Sequence, residues 1–114
     1  MDNTNFYSIY DLIKTYRLRK ISPVEHLQNT FQIIEKLNPK LNAFISISVQ
    51  TSLKQAKLSE KRFLSKTERK LEGIPFGVKD VIDIKYERTL NGSKSFINSK
   101  IKKKDAVIVK NLID

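Results

Sequence analysis

Cysteine and tryptophan are absent from this 114-residue chain, and histidine and methionine occur once each. Without cysteine there are no disulfides and no thiolate metal sites, and a single histidine cannot assemble a zinc set or a histidine-based triad. No metal or cofactor is therefore expected. No run approaches the roughly 20 apolar residues of a membrane span. Met1 leads into Asp2-Asn3-Thr4-Asn5, not into a basic and then apolar leader, so a soluble, cytoplasmic protein is expected. There is no internal repeat and no low-complexity tract. A chain of this length buries about 65% of its unfolded surface, enough for one modest core, so the limit is one domain or part of one.

What the chain has in excess is positive charge, +10 in all. The excess is spread over both halves, and lysine far outnumbers arginine in a background rich in isoleucine and asparagine. That pattern fits genome composition better than a surface of guanidinium forks selected for phosphate. Nonspecific affinity for RNA is compatible with it; specific nucleic-acid recognition is not expected.

From Phe6 to about Tyr16, Ile9, Leu12, Ile13 and Tyr16 fall at helical spacing, which predicts a short packing helix. Ser22-Pro23-Val24-Glu25 is a capping box with proline at the first helical position, followed by the stripe Val24, Leu27, Phe31, Ile34, Leu37. Asn38-Pro39 is expected to end this second helix, and Leu41 to Ile45 to continue as an extended segment. His26, on the helix between these signals, has nothing nearby to orient it as a base and is expected to face solvent. Val49 to about Leu64 carries a thin apolar stripe among lysines and predicts a surface helix; Ser65 to Lys70 reads as a loop.

The stretch Leu71 to Asp83, Leu-Glu-Gly-Ile-Pro-Phe-Gly-Val-Lys-Asp-Val-Ile-Asp, organises the rest. At the two-residue period of a strand, Ile74, Phe76 and Val78 share one face, and Pro75, Gly77 and Lys79 share the other. The plain reading of Lys79 is a strand-end lysine paired with Asp80 or Asp83. Beyond it, Ile84 to Arg88 is ambiguous, and Asn91-Gly92-Ser93 is a turn whose glycine can take a positive φ. Lys100 to Lys104 is basic and expected to be exposed. Asp105 is expected to cap a helix over Ala106 to Ile113 that runs for about two turns, as if the chain were cut there.

Six motifs then stand in order: Ser22-Pro23-Val24-Glu25, Asn38-Pro39-x-Leu41-Asn42-Ala43-Phe44, Gly73-Ile74-Pro75, Val78-Lys79-Asp80, Thr89-x-x-Gly92-Ser93 and Asp105-Ala106. The series resembles the opening half of the amidase signature family of amide-bond hydrolases. The resemblance implies an α/β fold in which N-terminal helices are followed by the first strands of a mixed sheet, incomplete in this chain. Residues 1–70 would be mainly helical, and residues 71–114 would be strand segments and the start of a helix. It also implies a Ser-cisSer-Lys mechanism in which Lys79 is the general base, acting through a bridging serine on the nucleophilic serine. That chemistry needs the lysine neutral, which a pocket closed by Phe76 and Val78 would favour.

The family's glycine- and serine-rich segment, which carries both serines and the oxyanion donors, has no counterpart between Ser93 and Asp114. Ser93 and Ser95 follow a turn but lack the glycine-flanked elbow of a nucleophile. The chain alone is therefore expected to be inactive, its small amide substrate belonging to the complete enzyme. One further departure is Tyr86, where similar sequences place glycine. Two branches remain: free-standing amidases, toward which Val78 to Asp83 leans, and the A subunit of the tRNA-dependent amidotransferase, which would bring partner subunits. A split enzyme completed by another chain, or a non-catalytic basic binding module, are the rivals, and a fragment is expected to expose apolar faces and be poorly soluble.

Overall fold

A computed structural model describes residues 7–114. The chain divides into two compact units, Met1–Pro75 and Phe76–Asp114. Phe6, the expected start of the first helix, lies outside the described residues.

The first unit holds three helices: α1 (Ile9–Arg17), α2 (Pro23–Leu41) and α3 (Val49–Ser65). Helix α1 starts at Ser8, whose Oγ accepts from the Asp11 N–H, and buries Leu12 and Tyr16. The capping box at α2 is complete: the Glu25 N–H donates to Ser22 Oγ (3.1 Å) and the Ser22 N–H donates to the Glu25 carboxylate (2.8 Å). Helix α2 packs against α3. Leu12, Tyr16 and Ile21 form the core, with Phe63 and Ile74 packed on it. The Tyr16 and Phe63 rings meet edge to face at 5.4 Å, a favoured aromatic geometry.

Two expectations for this unit are corrected. Helix α2 does not stop at Asn38-Pro39 but carries Pro39 inside it and ends at Leu41, where Asn42 takes a left-handed conformation (φ 49°). Proline removes one backbone donor, and so close to the end its cost is confined to the last turn. The Asn38 side chain then brackets the exit: its Nδ2 donates to the Phe44 carbonyl (2.9 Å) and its Oδ1 accepts from the Phe44 N–H (2.8 Å). That paired bond accounts for the Asn38…Phe44 part of the motif. His26 does not face solvent either; it is 4% exposed, with Nδ1 2.7 Å from the Tyr16 hydroxyl. Tyr16 also donates to the Gly73 carbonyl at 3.2 Å, so one phenol joins α1, α2 and the segment around Gly73. Burial raises the Tyr16 pKa far above its ordinary value, which keeps the hydroxyl protonated.

The second unit contains a 3-10 turn (Lys94–Phe96) and helix α4 (Val107–Ile113). The α/β expectation is overturned, because every regular element among the described residues is helical and residues 74–79 form neither helix nor strand. A strand exists only where a second stretch satisfies its N–H and C=O groups, and alternation in one segment cannot supply that stretch. Asp105 is not the cap of α4: that position belongs to Ala106, which makes no side-chain cap bond. The Asp105 carboxylate instead accepts from the Lys85 N–H at 2.7 Å. The expected exposure of apolar side chains is present in both units, for example at Leu41, Ile45, Ile97 and Val107, and Val109 is the one buried apolar side chain described in the second. No described helix is long and apolar enough to cross a membrane.

Candidate active site

Lys79 ends the irregular segment 74–79, and its carbonyl accepts from the N–H groups of Val81 (2.8 Å) and Ile82 (3.0 Å), which turns the chain at once. Its neighbour Asp80 then reaches across to the Asn91-Gly92-Ser93 turn. The Asp80 carboxylate accepts from the Leu90 N–H (2.8 Å) and the Gly92 N–H (3.0 Å), and the Asp80 carbonyl accepts from the Asn91 N–H (2.8 Å). Three consecutive backbone donors are thus held by one residue. Inside the turn, Ser93 N–H donates to the Leu90 carbonyl, and both central residues have positive φ, 52° at Asn91 and 65° at Gly92. An Asn-Gly pair suits that geometry because both residues tolerate the left-handed region.

Asp83 holds a second junction. Its carboxylate accepts from the buried Thr89 hydroxyl (2.6 Å) and pairs with Lys102 (3.2 Å), and its carbonyl accepts from the Ala106 N–H (2.9 Å). The Thr89 bond first, then Lys102, hold the Asp83 carboxyl below its usual range. Two residues of the Thr89-x-x-Gly92-Ser93 motif are therefore held by aspartates near Lys79, Thr89 by Asp83 and Gly92 by Asp80.

The ordinary pairing of Lys79 with Asp80 or Asp83 does not occur, since both carboxylates are engaged elsewhere and no ion pair of Lys79 is found among the described residues. Lys79 is exposed. The enclosing pocket expected of Phe76 and Val78 does not form from those two residues, Phe76 being itself exposed and Val78 half-buried. Ser93 acts as a cap, its Oγ accepting from the Ser95 N–H (3.3 Å), and Ser95 is exposed. No group of three or more histidine, cysteine, aspartate or glutamate side chains suited to a metal is present among the described residues. At Tyr86, the position noted as departing from glycine, φ is 69°, in the region that favours glycine.

In the first unit, sequence reasoning passed over Glu72, whose side chain is fully buried. It accepts from the Ser59 hydroxyl, from Arg62 (3.1 Å), and from Arg69 through both its guanidinium and its backbone N–H (2.8 to 3.3 Å). Burial works against the charge, but the bonds from Arg69 and Ser59 outweigh it and bring the carboxyl from 4.5 down to about 2. Next to it Gly73 has φ +75°, and a Cβ there would meet Pro23 at 3.0 Å and Tyr16 at 3.2 Å. The signal in the sequence was a lone glutamate between Leu71 and Gly73, with Ser59 and Arg62 one helical turn apart on α3.

The amidase family profile matches residues 25–114. Among curated proteins, the chain is similar to the A subunit of the glutamyl-tRNA(Gln) amidotransferase of Endomicrobium trichonymphae, 33% identical over 98% of this chain and 23% of that protein. It is also similar to the proteins of the same name from Coxiella burnetii, 37% identical over 92% of this chain and 22% of theirs, and from Dehalococcoides mccartyi, 38% over 75% and 18%. The chain thus spans about a fifth of the length of these relatives. No solved structure matches it.

Proposed function

The chain belongs to the amidase signature family, and from that premise we propose that it carries the general base, Lys79, of a Ser-cisSer-Lys hydrolase whose two serines come from sequence outside these residues. In the complete enzyme, Lys79 takes a proton through the bridging serine as the nucleophilic serine oxygen attacks the amide carbonyl carbon. The tetrahedral intermediate collapses with cleavage of the C–N bond, the proton leaves on ammonia, and water releases the acid from the acyl-serine. No metal or cofactor takes part in these steps.

The observation that supports this reading is the Asp80 clamp. A base needs a fixed backbone, and Asp80, the residue next to Lys79, is anchored by bonds from the backbone N–H groups of residues 90–92, two to its carboxylate and one to its carbonyl. The names of the relatives favour the amidotransferase branch over the free-standing one suggested by Val78 to Asp83. On that reading the protein is cytoplasmic, works with partner subunits, and yields its ammonia to the amidation of misacylated tRNA.

The test uses the full-length protein and a coupled assay for ammonia released from glutamine, asparagine and simple carboxamides. Lys79→Ala and Lys79→Arg should each lower turnover by at least about 10²-fold, the usual contribution of a positioned base. Turnover retained within about tenfold, or amide hydrolysis by the 114-residue chain alone, overturns the assignment.

A further inference from the structure

We propose that the surface around Tyr86 in the second unit is a binding edge for single-stranded nucleic acid, independent of the amide chemistry. Tyr86 is 73% exposed and holds φ at 69°. Of the non-glycine residues with positive φ among the described residues, Tyr86 is the aromatic one, and its ring stands in solvent.

The backbone bonds that hold Tyr86 also set its neighbours. Its N–H donates to the Lys102 carbonyl (2.8 Å), and the Lys102 N–H donates to the Glu87 carbonyl (2.9 Å), so residues 85–87 lie alongside residues 101–104. Lys85, Arg88, Lys100, Lys103 and Lys104 supply positive charge in and beside the two stretches these bonds join, and the Lys85 ammonium lies 4.8 Å from the centre of the ring. Of the nearby acids, Asp83 is engaged by Thr89 and Lys102 and Asp105 by the Lys85 backbone, while Glu87, half-buried next to Tyr86, offsets one of the cations. What remains is an aromatic ring among several cations, the combination that stacks a base while neutralising the phosphates on either side of it. An acidic peptide would use the cations and leave the ring idle.

The experiment is fluorescence anisotropy of a labelled oligouridylate with the full chain, titrated at two or more salt concentrations, with poly-glutamate and a blunt RNA duplex as competitors. Binding at about 50 mM salt, weakening steeply as salt rises, is expected. Tyr86→Asn, which keeps a residue tolerant of positive φ but removes the ring, should weaken binding at least about fivefold, and Tyr86→Phe should retain it. Lys103→Ala with Lys104→Ala should flatten the salt slope by about 0.7 for each phosphate that is no longer neutralised. The proposal is overturned by no binding at low salt, by equal affinity for Tyr86→Asn and wild type, or by equal displacement with poly-glutamate. Circular dichroism of each variant separates weakened binding from disrupted folding, and none of these outcomes bears on Lys79.

Discussion

Glutamine in place of Glu72 keeps the shape of the side chain and removes its charge. In the native protein the carboxylate is sealed from water and held by Ser59, Arg62 and Arg69. Its depression from 4.5 to about 2 corresponds to about 3 kcal/mol of stability, within the range for breaking a buried ion pair. The folded-state value lies below the unfolded one, so this contribution is complete above about pH 4.5 and is lost as pH falls toward about 2. Arg62 and Arg69 are each 37% exposed and can turn to water, so the substitution leaves no second buried charge behind. Urea unfolding of wild type and Glu72→Gln, followed by circular dichroism between about pH 7 and pH 2, measures the effect directly. The two proteins should differ by about 3 kcal/mol near neutrality and converge as the acid end is approached. A difference that stays constant with pH, or one below about 1 kcal/mol at neutrality, would refute the reasoning, because the charge would then carry little of the cluster's energy.

Removal of the Asp80 carboxylate with Asp80→Ala should free the Leu90 and Gly92 N–H groups, each worth about 1.5 kcal/mol or more in a charge-assisted bond, and speed their hydrogen exchange at least about tenfold. Gly73→Ala adds a Cβ against Pro23 and Tyr16 at a positive φ, and should lower stability by about 1 to 3 kcal/mol in the same urea assay.

Features written within a few residues were legible in the sequence. The capping box needs only Ser22 and Glu25, and the positive angle at Gly92 needs only the Asn-Gly pair, so both could be read without any knowledge of the fold. The helix over Val49–Ser65 followed from periodicity in the same way. What escaped depended on distant partners. His26 is buried because Tyr16, ten residues earlier, closes over it, and Glu72 is satisfied by side chains on α3. The strand expected at residues 74–79 failed for the same reason, since alternation marks a candidate and pairing decides it. At the candidate site, the motif series located Lys79, Asp80, Thr89 and Gly92. It did not reveal that Asp80 clamps the turn and that Asp83 takes Thr89 and Lys102, because residue spacing says nothing of which carboxylate meets which donor.

The Tyr16 hydroxyl has a single hydrogen and two neighbours, the Gly73 carbonyl and the His26 ring. A carbonyl can only accept, so both contacts are hydrogen bonds only when the hydroxyl points its hydrogen at Gly73 and the imidazole offers one of its own from Nδ1. Proton order then runs one way, from α2 through α1 to the approach to Gly73, and it specifies the tautomer of the chain's lone histidine with the hydrogen on Nδ1. Phenylalanine at position 16 would fill nearly the same volume and still erase that direction, leaving a buried N–H and a carbonyl to find new company.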